Sequence, residues 1–265
     1  MADSQVMEHV DDAADPRVDD FRSLRARESG EVLWAEGPTV VERLVASGLE
    51  VRSVLVTPAA SERLASSLAS VTAPVLVAEQ RTLNDIVGFD LHRGAIAVAT
   101  RPTLPSLQDA LEGLGARSTV VVLEGVNDPE NLGAIARTSR ALGADALLLD
   151  PTCADPYYRR TVRVSMGEVL HITVARGSMD AIAEQLTVRR FEIWALTPRS
   201  DAERIDRIAT PERLALLAGA EGPGLSPALL DRHRGVRVPM REGVDSLNVG
   251  HAIAAALAVV QSSTA

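Results

Sequence analysis

The chain has 265 residues, of which 46% are hydrophobic and 24% charged, with a net charge of −9. That length and hydrophobic share support one large or two ordinary folded domains and exclude a collagen-like or wholly disordered chain. Its single cysteine, Cys153, excludes an internal disulfide and a multi-thiolate metal site, and it fits a reducing cytoplasm.

The N-terminus has neither the basic start nor the apolar stretch of a signal peptide. Residues 1–20 are acid-rich and aperiodic, which predicts a disordered acidic leader. Residues 1–22 carry seven acids (Asp3, Glu8, Asp11, Asp12, Asp15, Asp19, Asp20) against Arg17 and Arg22, so most of the net charge resides there. The remainder is nearly balanced and leaves room for a local basic face. All 27 basic residues are arginine. Arginine suits bidentate phosphate contacts, although a GC-rich coding sequence produces the same bias.

Residues 21–100 read as a small α/β domain, with a helical pattern over Thr39–Ala46 and strand patterns over Val51–Val56 and Ala95–Ala99. Residues 101–118, with two prolines and two glycines, read as a linker. From Thr119 the chain alternates short apolar runs with helical stretches. Those runs are Thr119–Leu123, Ala146–Leu149, Phe191–Leu196, Leu214–Ala218 and Val236–Val238. Such alternation predicts a parallel sheet covered on both faces, an α/β domain over residues 119–265. The last apolar run, Ala252–Val260, is about half the length needed to span a bilayer. A cytoplasmic protein without a membrane anchor is the expectation.

Three motifs follow strands. In the first, Asn127 to Thr138, Asp128 is placed to cap a helix, Pro129 to open it and Glu130 to complement its dipole. Leu132, Ile135, Ala136, Ser139 and Leu142 share one helical stripe, while Arg137 lies about 140° round from Leu132, facing solvent or a cleft. By spacing alone Arg137 is an ordinary surface arginine. The second motif, Gly219-Ala220-Glu221-Gly222-Pro223-Gly224-Leu225, is a turn whose glycines would let a ligand approach the backbone. A dinucleotide-binding loop competes, but its glycine spacing and its place after the first strand of its unit are missing. The third motif joins Val238-Pro239-Met240 to Asp245-Ser246-Leu247-Asn248-Val249-Gly250 at the start of the last helix, where Ser246 could serve as the cap.

In this order and at these separations the motifs resemble the SpoU (TrmH-type) family of RNA ribose 2′-O-methyltransferases, of the SPOUT class. The likeness spans Val120–Val260. Ala35-Glu36-Gly37, Val54-Leu55-Val56 and His92-Arg93-Gly94 look like that family's small N-terminal substrate-binding domain. One departure is a glycine displaced to Gly243 after Met240. The resemblance implies a SPOUT-type sheet with a trefoil knot, a homodimer and S-adenosylmethionine as cofactor, with no metal. It implies cofactor contacts from Thr197, Gly219, Glu221, Gly222, Gly224, Val238, Met240 and Leu247. It makes Arg137 the residue that activates the ribose hydroxyl, with Asn131, Ser246 and Asn248 around it. The implied substrate is RNA, ribosomal before transfer RNA. A non-catalytic RNA-binding member of the same fold is the alternative, and a nucleotide-dependent enzyme of Rossmann type is a more distant one. Tyr157-Tyr158-Arg159-Arg160 could stack a base and hold phosphate, or form a solvated turn. His171, His233 and His251 lack ligand spacing.

Overall fold

A computed structural model describes residues 7–22 and 30–262. The chain divides into two compact units. One runs to Thr103 and also includes Tyr157–Leu170; the other comprises Leu104–Pro156 and the chain from His171 onward.

In the first unit, β1 (Met7–His9), β2 (Val32–Glu36), α1 (Pro38–Ala46), β3 (Val51–Val56), α2 (Pro58–Arg63), α3 (Ala65–Leu68), β4 (Val75–Val77), α4 (Gln80–Val87) and β5 (Ala95–Thr100) follow in turn. The five-stranded sheet has the order β1-β4-β3-β5-β2. β1 and β3 run parallel to β4, whereas β5 is antiparallel to both β3 and β2. Strands β3 and β5 match the runs read from the sequence.

The described part of the acidic leader is ordered, contrary to expectation. Met7–His9 pairs with Val75–Val77, and Pro16–Phe21 forms a 3-10 turn. Val10, Val18 and Phe21 are buried in the core of this unit. Charge is managed locally: the Arg17 guanidinium donates to Asp15 and Glu8 and to the carbonyl of His9. Three apolar anchors among many acids supply the burial that average composition conceals. Residues 1–6 of the leader lie outside the described residues.

The stretch taken for a linker is also structured. Leu107–Leu111 forms α5, whose Ala110 and Leu111 join the core of the second unit, and Ser118 already opens the next strand. The chain continues with β6 (Ser118–Glu124), α6 (Pro129–Ala141), β7 (Ala146–Leu149), α7 (Arg159–Val164), β8 (Thr173–Arg176), α8 (Met179–Val188), β9 (Glu192–Leu196), β10 (Glu203–Arg204), β11 (Arg213–Gly219), α9 (Pro227–Arg232), β12 (Arg234–Arg237) and α10 (Val249–Ser262). Of these, α7 is part of the first unit and the rest belong to the second; within the first unit Arg43 donates to the Met166 carbonyl at 2.6 Å and pairs with Glu168 at 2.8 Å.

The seven-stranded sheet has the order β10-β12-β9-β11-β6-β7-β8, and every pairing is parallel. Central strands β6 and β11 are buried along almost their whole length, as expected where both faces of a sheet are covered. The stripe of α6 read from the sequence is buried at Leu132, Ile135, Ala136 and Ser139, and α10 packs against this helix. The final strand ends at Arg237, one residue short of the run read as Val236–Val238, so Val238 stands in the loop. Among the described residues no helix is long and apolar enough to cross a membrane.

Candidate active site

The site begins where β11 ends. Gly219 is in register with Glu124 of β6. Beyond it the chain doubles back, with the Gly224 amide donating to the Ala220 carbonyl at 3.0 Å. A β-carbon on Gly219 would stand 2.2 Å from the carbonyl carbon of Gly224, so this close approach requires glycine. Glu124 holds the far side of the turn by accepting from the Ser226 amide at 2.8 Å.

This turn forms one wall of a cavity of about 370 Å³. Thr197 and its neighbours at the end of β9, Val238 and Met240 after β12, and the opening of α10 complete it. The size falls within the ordinary range for small-molecule sites. Thr197, Gly219, Glu221, Gly222, Gly224, Val238, Met240 and Leu247 all line it, as do Ser246 and Asn248. Leu196, Pro198, Ala218, Ala220, Val249 and Ala252, which the sequence reading did not single out, line it too. They are apolar neighbours of the motif residues, and no chemical signal distinguishes them. Carbon walls crossed by a glycine-lined peptide turn suit a flat heterocycle with a short polar tail, and S-adenosylmethionine has that form.

At the mouth of the cavity Asn248 ties two distant motifs together. Its side-chain amide donates to Oδ1 of Asn131 at 2.9 Å and to the Glu221 carboxylate. Its own Oδ1 accepts from the amides of Gly250, at 2.9 Å, and His251, at 3.3 Å. Asn248 is therefore the cap of α10, and Ser246 is not. The helix begins at Val249, leaving Ser246 in the exposed loop before it. Asn131 in the first turn of α6 is thus drawn to Glu221 and Asn248 without itself lining the cavity.

Arg137 is different. It is exposed on α6, does not line the cavity and has no side-chain hydrogen bond among the described residues. Six residues beyond Asn131, it lies about 9 Å along the helix axis and about 120° round it. The helix leaves its guanidinium available to a ligand approaching from solvent.

A rigid frame supports the loop between β6 and α6. The buried Asp150 carboxylate accepts from the amides of Gly125, Thr152 and Cys153 and from the Thr152 hydroxyl. Burial raises the Asp150 carboxyl, but hydrogen bonds from Cys153, Gly125 and Thr152 outweigh it and hold the group below the usual carboxylate range. Burial first, then Asp150 beside it, pushes the Cys153 thiol up to about 12. Arg176 closes the frame by donating to the carbonyls of Cys153 and Ala154 at 2.9 and 2.8 Å. Among the described residues no group of three or more His, Cys, Asp or Glu could hold a metal ion.

The chain is similar to several known proteins. The model of the SpoU rRNA methylase family matches residues 118–258. An uncharacterized tRNA/rRNA methyltransferase of Mycobacterium bovis is 43% identical, covering 95% of this chain and 90% of that protein. The 23S rRNA (guanosine(2553)-2′-O)-methyltransferase RlmP of Bacillus subtilis is 27% identical, covering 96% of this chain and 98% of its own. Among solved structures, the AdoMet-bound rRNA methyltransferase from Sinorhizobium meliloti superimposes with a TM-score of 0.79 at 25% identity, covering 97% of this chain and 98% of that one.

Proposed function

The chain belongs to the SpoU rRNA methylase family and is an S-adenosylmethionine-dependent RNA methyltransferase, and from that premise we propose that its acceptor is a ribose 2′-hydroxyl of ribosomal RNA. The observation that carries the reading is the cluster of Asn131, Glu221 and Asn248 at the mouth of a glycine-walled cavity. Two carboxamides and a carboxylate can orient a hydroxyl by hydrogen bonds, and they offer neither a thiolate nor a histidine for covalent catalysis. Relatives such as the RlmP enzyme, named for 2′-O transfer to 23S rRNA, support the choice of ribose and of ribosomal RNA.

When bound, S-adenosylmethionine supplies a methyl group on a positively charged sulfur. In our reading Thr197, Gly219, Gly222, Gly224, Val238, Met240 and Leu247 hold it, with Glu221 and Ser246 at its edge. Asn131, Glu221 and Asn248 fix the ribose. Arg137 grips the neighbouring phosphate and stabilises negative charge as it develops on the 2′-oxygen. A guanidinium stays protonated near neutrality, so Arg137 acts through its charge, and the hydroxyl proton leaves to solvent water as the methyl group passes from sulfur to the 2′-oxygen. Only RNA carries that hydroxyl.

Three further points belong to this reading. The first unit binds and presents the RNA. The C-terminal segment passes through a trefoil knot, the path that the SPOUT resemblance implies. A homodimer of two copies of the chain, working in the cytoplasm, is also part of this reading.

The test is methyl transfer from labelled S-adenosylmethionine to unmodified ribosomal RNA and to transfer RNA, each offered alone. Incorporation into ribosomal RNA with little into transfer RNA is expected. The reverse preference would overturn the substrate assignment, and no transfer to either would favour the non-catalytic alternative.

A further inference from the structure

The first unit contains a cavity of its own, of about 530 Å³, to which methyl transfer gives no role. Its chemistry is carried by Glu36, Phe89, His92, Arg93, Arg159 and Arg163. Glu36, 14% exposed, faces Arg159 at 3.4 Å and Arg163 at 3.3 Å. Both distances exceed the roughly 2.7–2.9 Å of a tight charge-assisted pair, so one carboxylate is loosely shared between two guanidiniums. Arg159 also lies with its guanidinium 4.9 Å from the centre of the Phe89 ring. The second acid, Asp90, is already engaged, accepting from Asn84 at 3.0 Å and facing His92 at 3.3 Å. Arg93 is exposed and has no ionic or hydrogen-bond partner among the described residues. Its stem passes Gly37, with Cδ 3.6 Å from where a β-carbon on that glycine would stand, an ordinary van der Waals distance.

Three guanidiniums against two occupied carboxylates leave surplus positive charge, and an arginine–phenylalanine pair offers planar surface beside it. That combination favours a ligand that is both flat and anionic. Tyr157 does not provide the planar surface, because it is buried beneath Arg101. We propose that this cavity takes one unpaired nucleotide of the RNA substrate, with its base against Arg159 and Phe89 and its phosphate at Arg93 and Arg163. The proposal rests on the RNA methyltransferase reading above. His92 and Arg93 are exposed at the rim, so flanking nucleotides can enter and leave. A free nucleoside phosphate shares this chemistry, and the test separates the two sources.

The double variant Phe89→Leu with Arg93→Gln leaves both partners of Glu36 in place, and Arg93→Gln alone covers the case in which the double variant folds poorly. Full-length proteins are compared for methyl transfer to unmodified ribosomal RNA, for cofactor affinity, and for binding of a mixed-sequence single-stranded decaribonucleotide. A rise of at least tenfold in KM for RNA and in Kd for the decaribonucleotide is expected, with kcat and cofactor Kd unchanged. Unchanged KM and decaribonucleotide Kd in a folded variant would overturn the proposal. So would binding of mixed nucleoside monophosphates that is lost in the variant while the KM for RNA stays put. If the wild-type chain methylated no RNA, the parent reading would fail, yet the decaribonucleotide measurement would still judge the cavity.

Discussion

Asn248 donates its side-chain amide to Asn131, 117 residues earlier in the chain, at 2.9 Å. The same side chain caps α10 through its oxygen and meets Glu221 through its nitrogen. One residue therefore sets both the start of the last helix and the geometry of the cluster, and the two duties are separable. Asn248→Asp keeps the capping oxygen but places a carboxylate against Glu221 and removes the donor. Melting temperature is expected to hold within a few degrees while kcat falls by about a hundredfold or more, in line with loss of one preorganised polar group at a reaction centre. Activity within a few-fold of wild type would show that the cluster is not part of the chemistry.

Arg137 leads to the opposite expectation because it does not line the cavity and has no side-chain hydrogen bond among the described residues. Arg137→Ala is expected to abolish RNA methylation and leave cofactor affinity, read by calorimetry, unchanged. Arg137→Lys should recover only a minor part, since an ammonium cannot reproduce the guanidinium's paired donors. Near-normal turnover in either variant would remove Arg137 from the mechanism.

Gly219 has no room for a side chain beside Gly224. Gly219→Ala must push the turn open, at a cost of the order of 1–3 kcal/mol for overpacking. Cofactor affinity should drop at least tenfold, because the displaced backbone is the cavity wall. Calorimetric titration of a variant that retains its melting transition measures this directly.

The three motifs were legible because each combines a chemical signature with a fixed place after a strand. Nothing comparable marked the leader. Its anchors Val10, Val18 and Phe21 are too few and too widely spaced to show periodicity, and a three-residue strand has no pattern of its own. Ser246 and Asn248 are both good caps by residue type, and only the partners at Asn131 and Glu221 decide between them. Residues 157–170 read as part of the catalytic domain because they lie between two of its strands, yet they pack with the first unit, a tertiary outcome that local sequence does not encode. The second cavity was hidden for the same reason. The sequence pointed to Arg159 through the tyrosines beside it, while the aromatic partner, Phe89, lies 70 residues away.

The ordered leader can be tested by stability. Phe21 is fully buried, and Phe21→Ala is expected to destabilise the chain by about 3–5 kcal/mol, as for other large-to-small changes in a core. A urea titration showing less than about 1 kcal/mol would mean that residues 7–22 do not contribute to the fold.

Cys153 links stability to alkaline pH. Its folded value is raised from the ordinary one near 9 to about 12, so its contribution is fully present below pH 9 and is lost as pH climbs from 9 towards 12. Between pH 8 and pH 10.5 the urea midpoint of the wild type should fall further than that of Cys153→Ala. Equal falls would show that the thiol is not protected by its surroundings.

The central claim is that the methyl group arrives on ribose. The most direct measurement digests RNA with alkali after incubation with the protein and methyl-labelled S-adenosylmethionine. A 2′-O-methyl group blocks the attack that cleaves the adjacent phosphodiester, so the account predicts label in an alkali-resistant dinucleotide. Label recovered in a mononucleotide methylated on its base would contradict it.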